Sequence, residues 1–463
     1  MKTLPRLNPI SLRKISRLAG ADAALIAPGA CVSFDGLARG NPLSVPPALL
    51  RGANVLIRTR DQLNAALALV ALDGVASRLV IAPPDLKNEQ LADVIARAGL
   101  DTLVTDDVAV AGLKTVSVSP NLAPLGDDLA VTQTDWVLFT SGTTGAPKMV
   151  AHSLAGLTGA IGQRSDVEKI VWGTFYDIRR YGGLQILLRA LIGGASLVLS
   201  ESGEAVADFL ARLGDAGVTH LTGTPSHWRR ALMSPALARI APRYIRLSGE
   251  IADQAVLDGL KARFPNAAIG HAYAATEAGV GFEVTDGLEG FPVNFIGSDG
   301  PVEMRVVDGS LQLRSPRTAS DYVGGGDALK QDGWVDTGDL VEKRRSVCAS
   351  RSDQNEDRFY FAGRRGGIIN VGGLKINPEE VEAVINRHPG VALSRVSGRK
   401  NPITGAIVVA EVVLADAAND DASFREELLA LCREKLPAFK VPAMLRFVER
   451  LELTPGGKLA RHA

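Results

Sequence analysis

Residues 138–148 read LFTSGTTGAPK, and this stretch decides the fold because it joins a strand-like run to a loop suited to binding phosphate. Residues 135–139, DWVLF, are typical of a buried strand, and residues 150–160 after the loop can begin a helix. The loop holds two glycines and four hydroxyl side chains, so its amides and O–H groups can donate to an anion, while Lys148 adds positive charge. It does not match the Walker pattern, because two residues rather than four separate its glycines. The stretch therefore predicts a phosphate loop of another kind, with a flexible surface loop as the alternative.

The composition excludes several classes of function. The chain has 463 residues, more than one hydrophobic core usually supports, so we expect two or three domains. Lysine plus arginine and aspartate plus glutamate both number 51, so no net charge attracts nucleic acid or an anionic membrane surface. Cys31, Cys348 and Cys432 lie far apart, which indicates neither a disulfide framework nor a zinc site. The cysteine pattern fits a reducing cytoplasm, and the balanced charge predicts no nucleic-acid partner. The most apolar stretch is interrupted by an arginine and two glycines, so we expect no membrane span.

The order of apolar runs predicts an α/β fold. Up to about residue 350, short strand-like runs alternate with helix-like segments such as 61–72, which favours layers around buried strands. The pattern changes to a compact α+β arrangement from Gly363 onward. We therefore predict a large multi-subdomain N-terminal α/β domain, residues 1–362, followed by a small mobile α+β C-terminal domain, residues 363–463. The clearest strand-like runs are 54–57, 78–81, 102–104 and 196–199.

One helix of the small domain has a well-marked start. Asn377 can cap it, Pro378 fits its first turn, and Glu380 has the spacing of a capping box. We expect its buried face to consist of Val381, Val384 and Ile385.

The loop and four later motifs resemble the acyl-adenylate-forming, or AMP-binding, superfamily, which includes acyl- and aryl-CoA synthetases, luciferases and the adenylation domains of peptide synthetases. The five motifs occur in the family's order and cover the chain from about residue 100 to its end. The resemblance implies an enzyme that uses ATP, Mg²⁺ and coenzyme A. The later motifs are YAATE at 273–277, WVDTGDL at 334–340, GR at 363–364 and PGGK at 455–458.

The resemblance also implies roles for individual residues. Thr276 would contact the AMP phosphate, Glu277 would hold Mg²⁺, and Asp339 would accept hydrogen bonds from both ribose hydroxyls. Arg364 would bind ribose or phosphate oxygens. Lys458 would stabilise the negative charge that develops when the acid attacks the α-phosphate, so the implied catalytic residues are Lys458, Thr276 and Glu277. The residues implied to bind ATP or coenzyme A are Thr140, Ser141, Gly142, Thr143, Thr144, Gly145, Lys148, Gly249, Glu250, Tyr273, Ala274, Asp339, Arg364, Gly372 and Gly373.

The segment after Gly363 resembles the family's hinge. The family usually has Asp or Lys at the pivot, whereas this chain has Gly366, which leaves rotation possible but its end positions less defined. Gly372 and Gly373 would line the channel for the pantetheine arm of coenzyme A.

The acid pocket is implied to lie around residues 171–188, Ser248 and 271–275. Aromatic side chains there can wall an aryl or short acyl group. Asp177 can pair with a substrate ammonium, or it can neutralise neighbouring arginines. The implied pocket residues are Phe175, Tyr176, Asp177, Gly182, Gly183, Ser248, His271 and Ala275.

These patterns favour an AMP-forming ligase that converts a carboxylic acid to acyl-AMP and then transfers the acyl group to coenzyme A. We expect the acid to be an aryl acid or a short to medium acyl acid. One alternative is a stand-alone adenylating enzyme that loads an acyl, aryl or amino acid onto the phosphopantetheine of a carrier protein. Another is a non-catalytic nucleotide-binding relative, which Gly366 and Ala274 suggest because both depart from the family's motifs.

Overall fold

The structure of the chain is a computed structural model. It describes residues 11–18, 22–125, 131–140, 147–162, 169–325, 329–345, 357–371, 373–401, 405–415, 422–454 and 456–460. These residues form a mixed α/β fold, which confirms the predicted fold class. No helix among them is long and apolar enough to cross a membrane.

Strands and helices alternate over most of these residues. The strands are β1 (Ala24–Ala27), β2 (Ala30–Ser33), β3 (Gly40–Leu43), β4 (Asn54–Ile57), β5 (Arg78–Ile81), β6 (Thr102–Thr105), β7 (Lys114–Pro124), β8 (Asp135–Phe139), β9 (Met149–Ser153), β10 (Val171–Thr174), β11 (Ser196–Leu199), β12 (His220–Gly223), β13 (Tyr244–Ser248), β14 (Ala268–Ala275), β15 (Gly279–Val284), β16 (Phe291–Pro292), β17 (Glu303–Val307), β18 (Ser310–Arg314), β19 (Val335–Arg345), β20 (Asp357–Arg364), β21 (Ile369–Val371), β22 (Leu374–Ile376), β23 (Val391–Asn401), β24 (Gly405–Leu414) and β25 (Met444–Phe447). The α-helices are α1 (Leu12–Leu18), α2 (Phe34–Arg39), α3 (Gln62–Leu72), α4 (Leu91–Ala98), α5 (Leu154–Thr158), α6 (Tyr181–Gly193), α7 (Val206–Asp215), α8 (Pro225–Leu232), α9 (Gln254–Arg263), α10 (Pro378–Ile385) and α11 (Ala422–Lys435). Short 3₁₀ helices span Pro47–Leu50, Asn88–Gln90, Pro235–Arg239, Val293–Phe295 and Ala438–Lys440.

Two large sheets enclose the main core of the described chain. One has the strand order β3-β7-β6-β4-β5-β8-β9, and the other has the order β15-β14-β13-β12-β10-β11-β1-β2. Helices α3 and α6 share a single hydrophobic core with Leu79 of the first sheet and Leu197 of the second. Every residue of α3 is buried, as expected of a helix that is apolar on all sides. The two helices therefore lie between the sheets and fix their relative positions.

Most of the strands predicted from apolar runs are present. Strands β4, β5 and β11 have the predicted bounds, β6 is one residue longer, and α3 begins one residue later than predicted. The predicted helix at residues 150–160 is wrong, because residues 149–153 form β9, which pairs antiparallel with β8. Met149 and Val150 are completely buried on this strand, and the helix begins after it with Ser153 as its cap.

The C-terminal part of the described chain has its own sheet and core. Strands β23, β24 and β25 form the sheet, and α10 and α11 pack on it in a separate hydrophobic cluster. Asn377 occupies the predicted cap position of α10, but its side chain makes no capping hydrogen bond there. Strand β20 crosses the predicted boundary between residues 362 and 363, so that domain boundary stays a prediction.

Asp73 ties the N-terminal helix to the strand that leads to the phosphate loop. Its carboxylate accepts hydrogen bonds from the backbone N–H of Leu12 at 2.8 Å and from Nε1 of Trp136 at 3.1 Å. Burial raises the pKa of Asp73 to about 6. Both donors are also buried, so each depends on this carboxylate as its partner.

We expect Asp73→Ala to destabilise the protein by about 2 kcal/mol or more, because two buried N–H donors lose their acceptor at about 1–3 kcal/mol each while the desolvation of one carboxylate is relieved. Thermal unfolding midpoints measure the effect. The matched control is Asp35→Ala, which removes an exposed carboxylate paired with Arg39 on the surface. Equal midpoints for the two variants would contradict the structural role of Asp73.

Candidate active site

The predicted site residues gather where parallel strands of the larger sheet end. Strands β10, β12, β13 and β14 run parallel to one another, so their carboxyl ends share one edge. Ligands of open α/β sheets bind at such an edge. The edge carries Phe175 and Tyr176 after β10, Thr224 after β12, Gly249 and Glu250 after β13, and Thr276 and Glu277 after β14.

The aromatic residues after β10 form a wall at this edge. Phe175 stacks on His227 with ring centroids 5.2 Å apart, and the hydroxyl of Tyr176 donates to the carbonyl of Ser248 at 2.9 Å. Burial raises the pKa of Tyr176, so its hydroxyl keeps its proton. Gly182 lies under the Tyr176 ring, where a Cβ would be 3.7 Å from the ring. The wall therefore joins three of the four strand ends.

Two of the predicted pocket residues make packing contacts instead of leaving open space. A Cβ on Gly183 would lie 2.2 Å from the carbonyl oxygen of Asp177, so this glycine lets helix α6 begin close to the preceding loop. The Asp177 carboxylate receives two hydrogen bonds from the buried guanidinium of Arg179, at 2.5 and 2.8 Å. Asp177 is therefore neutralised by an arginine in this structure. His271 is nine-tenths buried and contacts the carbonyl of Leu288 at 2.9 Å through Nε2.

The carboxylate of Asp339 is held from both sides. Asp339 and Arg364 are cross-strand partners on β19 and β20, and Arg364 Nε donates to Asp339 Oδ1 at 2.8 Å. The hydroxyl of Tyr273 donates to Oδ2 at 2.5 Å, and the Tyr273 ring stacks on Phe361 at 5.1 Å. Because a carboxylate has about four acceptor positions, Asp339 keeps capacity for two further hydroxyl donors.

Thr276 and Glu277 lie in the turn of the β14–β15 hairpin, which follows Ala274 and Ala275 at the end of β14. The backbone of this turn is fixed by hydrogen bonds from other elements. His152 Nε2 contacts the Thr276 carbonyl at 2.8 Å, and the Glu277 carbonyl accepts from the N–H of Ala319 at 2.9 Å. Burial lowers the pKa of His152 to about 4, so the ring is neutral and donates through Nε2.

Lys458 reaches this edge from the far end of the chain. Its Cε lies 3.3 Å from the position that a Cβ on Gly249 would take, and Gly249 has a φ of +90°. Burial lowers the pKa of Lys458, the charge of Arg364 lowers it further, and Glu250 and Asp339 oppose both effects. The amine therefore stands among the residues that the sequence assigns to nucleotide binding.

Residues 456–460 are docked by hydrogen bonds that the sequence analysis did not predict. The Thr224 hydroxyl donates to the Gly457 carbonyl at 2.7 Å, and the N–H of Leu459 donates to Glu250 Oε1 at 2.8 Å. The other carboxylate oxygen of Glu250 accepts from the N–H of Ser226 at 3.0 Å, at the start of α8. Thr224 and Pro225 had the sequence signature of a helix start, which is the signal that could have drawn attention to this turn.

Gly457 fits against His227 with no room for a side chain. A Cβ there would lie 1.8 Å from the His227 ring, and Gly457 has a φ of +72°. The ring is held by its stack on Phe175 and by a hydrogen bond from the N–H of Thr224 to Nδ1 at 3.2 Å. Burial lowers the pKa of His227 to about 3, so the ring is neutral.

Several predicted site residues lie outside the described residues. They are Gly372 and five residues of the predicted phosphate loop, Ser141, Gly142, Thr143, Thr144 and Gly145. The ends of the loop are joined, because the N–H of Thr140 donates to the carbonyl of Lys148 at 3.0 Å. Lys148 Nζ lies 5.4 Å from the centroid of the Tyr322 ring. Gly366 is exposed with open space around a Cβ, and Gly373 has a φ of +87° with its N–H donating to Asn370.

Comparison with known proteins places the chain in a family. The AMP-binding enzyme model matches residues 49–319, more than half of the chain, and the AMP-binding enzyme C-terminal domain model matches residues 380–458. The chain belongs to the AMP-binding enzyme family. This confirms the resemblance drawn from the five sequence motifs.

Individual relatives of this AMP-binding chain are distant but similar in length. A 2-succinylbenzoate–CoA ligase of Bacillus cereus is 27% identical over 89% of this chain and 87% of its own. Two solved structures share the fold. An anthranilate CoA ligase in complex with anthranoyl-AMP has a TM-score of 0.77 at 20% identity, covering 98% of this chain and 96% of its own. The o-succinylbenzoate CoA synthetase of Bacillus subtilis, in complex with ATP and magnesium ion, has a TM-score of 0.72 at 21% identity, covering 97% and 98%.

We expect Gly457→Ala to release residues 456–460 from the site, because its Cβ would overlap the His227 ring and its φ disfavours a side chain. The rate at which an amine-reactive reagent labels Lys458, followed by peptide mass spectrometry, should rise severalfold. The matched control is Gly456→Ala, whose Cβ would meet Arg180 at an ordinary 3.5 Å. If the reagent labels Lys458 in both variants at the wild-type rate, the contact at Gly457 is not required to hold residues 456–460 in the site.

Proposed function

We propose that the chain is an AMP-forming acid–CoA ligase. It joins a carboxylic acid to ATP, giving acyl-AMP and pyrophosphate, and then transfers the acyl group to the thiol of coenzyme A with release of AMP. The observation that carries this proposal is the position of Lys458 beside Gly249 and Glu250, close enough to Asp339 and Arg364 for their charges to act on its amine. A cytoplasmic location, with ATP and coenzyme A as soluble co-substrates, is part of the proposal.

In the first step, the acid carboxylate attacks the α-phosphate and needs no general base, because it is already ionised at neutral pH. Negative charge builds on the phosphate oxygens in the transition state, and a fixed cation there lowers the barrier. Lys458 supplies this charge. Docking of residues 456–460 by Thr224 and Glu250 orients the amine before the substrate reacts, so little reorganisation is needed.

Asp339, Thr276 and Glu277 are proposed to hold the nucleotide. Asp339 takes the two ribose hydroxyls, since Arg364 and Tyr273 orient its carboxylate and leave acceptor positions free. Thr276 contacts the AMP phosphate from a turn that His152 fixes through a backbone carbonyl. Glu277 would hold Mg²⁺ through its carboxylate, and the ion would neutralise charge on the substrate phosphates. Thr140 and Lys148 hold the ends of the proposed pyrophosphate loop.

The second step is proposed to require movement of the small domain, residues 363–463. With Lys458 docked, the amine occupies the edge that the thiol must approach, so residues 456–460 must leave before transfer. Gly366 is the proposed pivot, and Gly372 and Gly373 are proposed to line the pantetheine channel. The movement would also break contacts of the small domain with the large domain, such as the 3.5 Å hydrogen bond from Asn386, which follows α10, to the buried Asp253.

The acid is proposed to be an aryl or a short to medium acyl acid. The aromatic wall of Phe175 and Tyr176 supports this, and the relatives named above are ligases of aromatic acids. Coenzyme A is the proposed acceptor because it is the acceptor in their names, whereas a carrier protein remains an outcome of the acceptor test.

We expect Lys458→Ala to lower acid-dependent exchange of pyrophosphate into ATP by at least about 10²-fold, the usual effect of removing a group that stabilises transition-state charge. Thioester formation from preformed acyl-AMP and coenzyme A should stay within severalfold of wild type, because Lys458 acts in the first step. The control is Lys435→Ala, an exposed lysine of α11 paired with Glu434. Unchanged exchange in Lys458→Ala would refute the mechanism.

The acceptor is identified by analysing the products. The enzyme is incubated with ATP, Mg²⁺, a carboxylic acid that it adenylates, and coenzyme A, without any carrier protein. We expect stoichiometric AMP and acyl-CoA. Accumulation of acyl-AMP, with a thioester formed only after a phosphopantetheinylated carrier protein is added, would replace coenzyme A by a carrier as the acceptor.

A further inference from the structure

The guanidinium of Arg97 joins helix α4 to two segments of the candidate site. It donates through Nη1 to the carbonyl of Pro147, which directly precedes Lys148, at 3.2 Å, and through Nη2 to the carbonyl of Val323 at 3.2 Å. Asp93, four residues earlier on the helix, accepts a further bond from Nη1 at 3.0 Å and so orients the group. Hydrogen bonds from an ionised donor are stronger than those between neutral groups. One side chain therefore holds the end of the predicted phosphate loop beside the segment that contains Val323.

The turn at Gly324 is shaped around the side chain of Arg97. A Cβ on Gly324 would lie 2.6 Å from Cβ and 2.7 Å from Nε of Arg97, and the φ of +88° at Gly324 also disfavours a side chain. Helix α4 itself packs through Leu91 and Val94 into the same hydrophobic cluster as Met149, the first residue of β9. Arg97 therefore projects from a helix that is fixed to the strand following the loop.

These contacts determine the surroundings of Lys148, the cation of the predicted phosphate loop. The carbonyl of Lys148 accepts from the N–H of Thr140 at 3.0 Å, and its Nζ lies 5.4 Å from the centroid of the Tyr322 ring. An aromatic ring at this distance attracts an ammonium group. Tyr322 directly precedes Val323, the second residue that Arg97 holds. Arg97 thus fixes the residue before the lysine and the residue after its aromatic partner.

We propose that Arg97 is a positioning residue for ATP binding: it holds Lys148 where its ammonium meets the terminal phosphates, which leave as pyrophosphate. This inference rests on the proposed function. Arg97 acts through Lys148, because its own hydrogen bonds go to two carbonyls and to Asp93. A cation that is held in place before the ligand arrives loses little conformational freedom on binding. Loss of Arg97 therefore weakens the binding of ATP and of pyrophosphate, but not of AMP, which lacks the terminal phosphates.

The ratio of the affinities for MgATP and AMP, measured by titration calorimetry, tests the inference because a general loss of structure weakens both. We expect Arg97→Gln to lower this ratio at least about fivefold, with AMP bound as in the wild type. Arg97→Lys should give an intermediate ratio, because it keeps the charge but cannot bind both carbonyls. The matched control is Arg39→Gln, which removes an exposed arginine of α2 paired with Asp35 four residues earlier. A wild-type ratio in Arg97→Gln would overturn the inference.

A double-mutant cycle tests whether Arg97 acts through Lys148. We expect Lys148→Ala to lower the affinity ratio as well, and the addition of Arg97→Gln to have little further effect in that background. Additive effects of the two substitutions would overturn the inference. If Arg97→Gln unfolds at a much lower temperature, the cycle is measured with Arg97→Lys, which keeps the charge and most of the side-chain packing.

The two half-reactions separate this inference from the proposed function. In Arg97→Gln we expect the KM for pyrophosphate in acid-dependent exchange to rise at least about fivefold, while thioester formation from preformed acyl-AMP and coenzyme A keeps its wild-type rate. An equal loss in both half-reactions would overturn the inference. Absence of exchange by the wild-type enzyme with every acid tested would instead contradict the proposed function, and the affinity ratio would still decide the role of Arg97.

Discussion

The docking of residues 456–460 onto the ends of β12 and β13 is the interaction on which the candidate site depends. Glu250 accepts one hydrogen bond from the start of α8 and another from Leu459, so a single carboxylate joins the two halves of the site. Thr224 both caps α8 and donates to Gly457. Without these contacts the predicted nucleotide-binding residues would line an edge that lacks the lysine. In the proposed mechanism, the first step therefore depends on a few hydrogen bonds that the proposed domain movement must break.

The large sheets provide the rigid side of this arrangement. Helices α3 and α6 are buried between them, and the strand ends that carry Tyr176, Gly249 and Thr276 follow from the parallel register of β10 to β14. The turn that carries Thr276 and Glu277 is then fixed by two buried donors, Nε2 of His152 and the N–H of Ala319. A buried polar residue such as His152 thus positions a turn of the candidate site.

The sequence predicted the strands well wherever apolar runs were short and bounded, as in β4, β5 and β11. It failed at the start of residues 150–160, where a pattern compatible with a helix forms β9, because this segment pairs with β8 and buries Met149 and Val150 completely. Motif residues such as Asp339 and Lys458 could be identified as candidates from the sequence motifs alone. The docking roles of Thr224 and Glu250 could not be predicted, because they arise from contacts between segments far apart in the chain, and a local pattern does not encode such contacts.

The pairing of Asp177 with Arg179 has a consequence for attempts to redesign the proposed acid pocket. Arg179 is almost fully buried and also donates to the carbonyl oxygens of Thr59 and Arg60, so it anchors the pocket wall to the segment before α3. Replacing Asp177 alone would strand a buried cation, at a cost of about 3–5 kcal/mol. Engineered libraries at this wall should therefore vary positions 177 and 179 together, since single substitutions would select against folding before they report on the substrate.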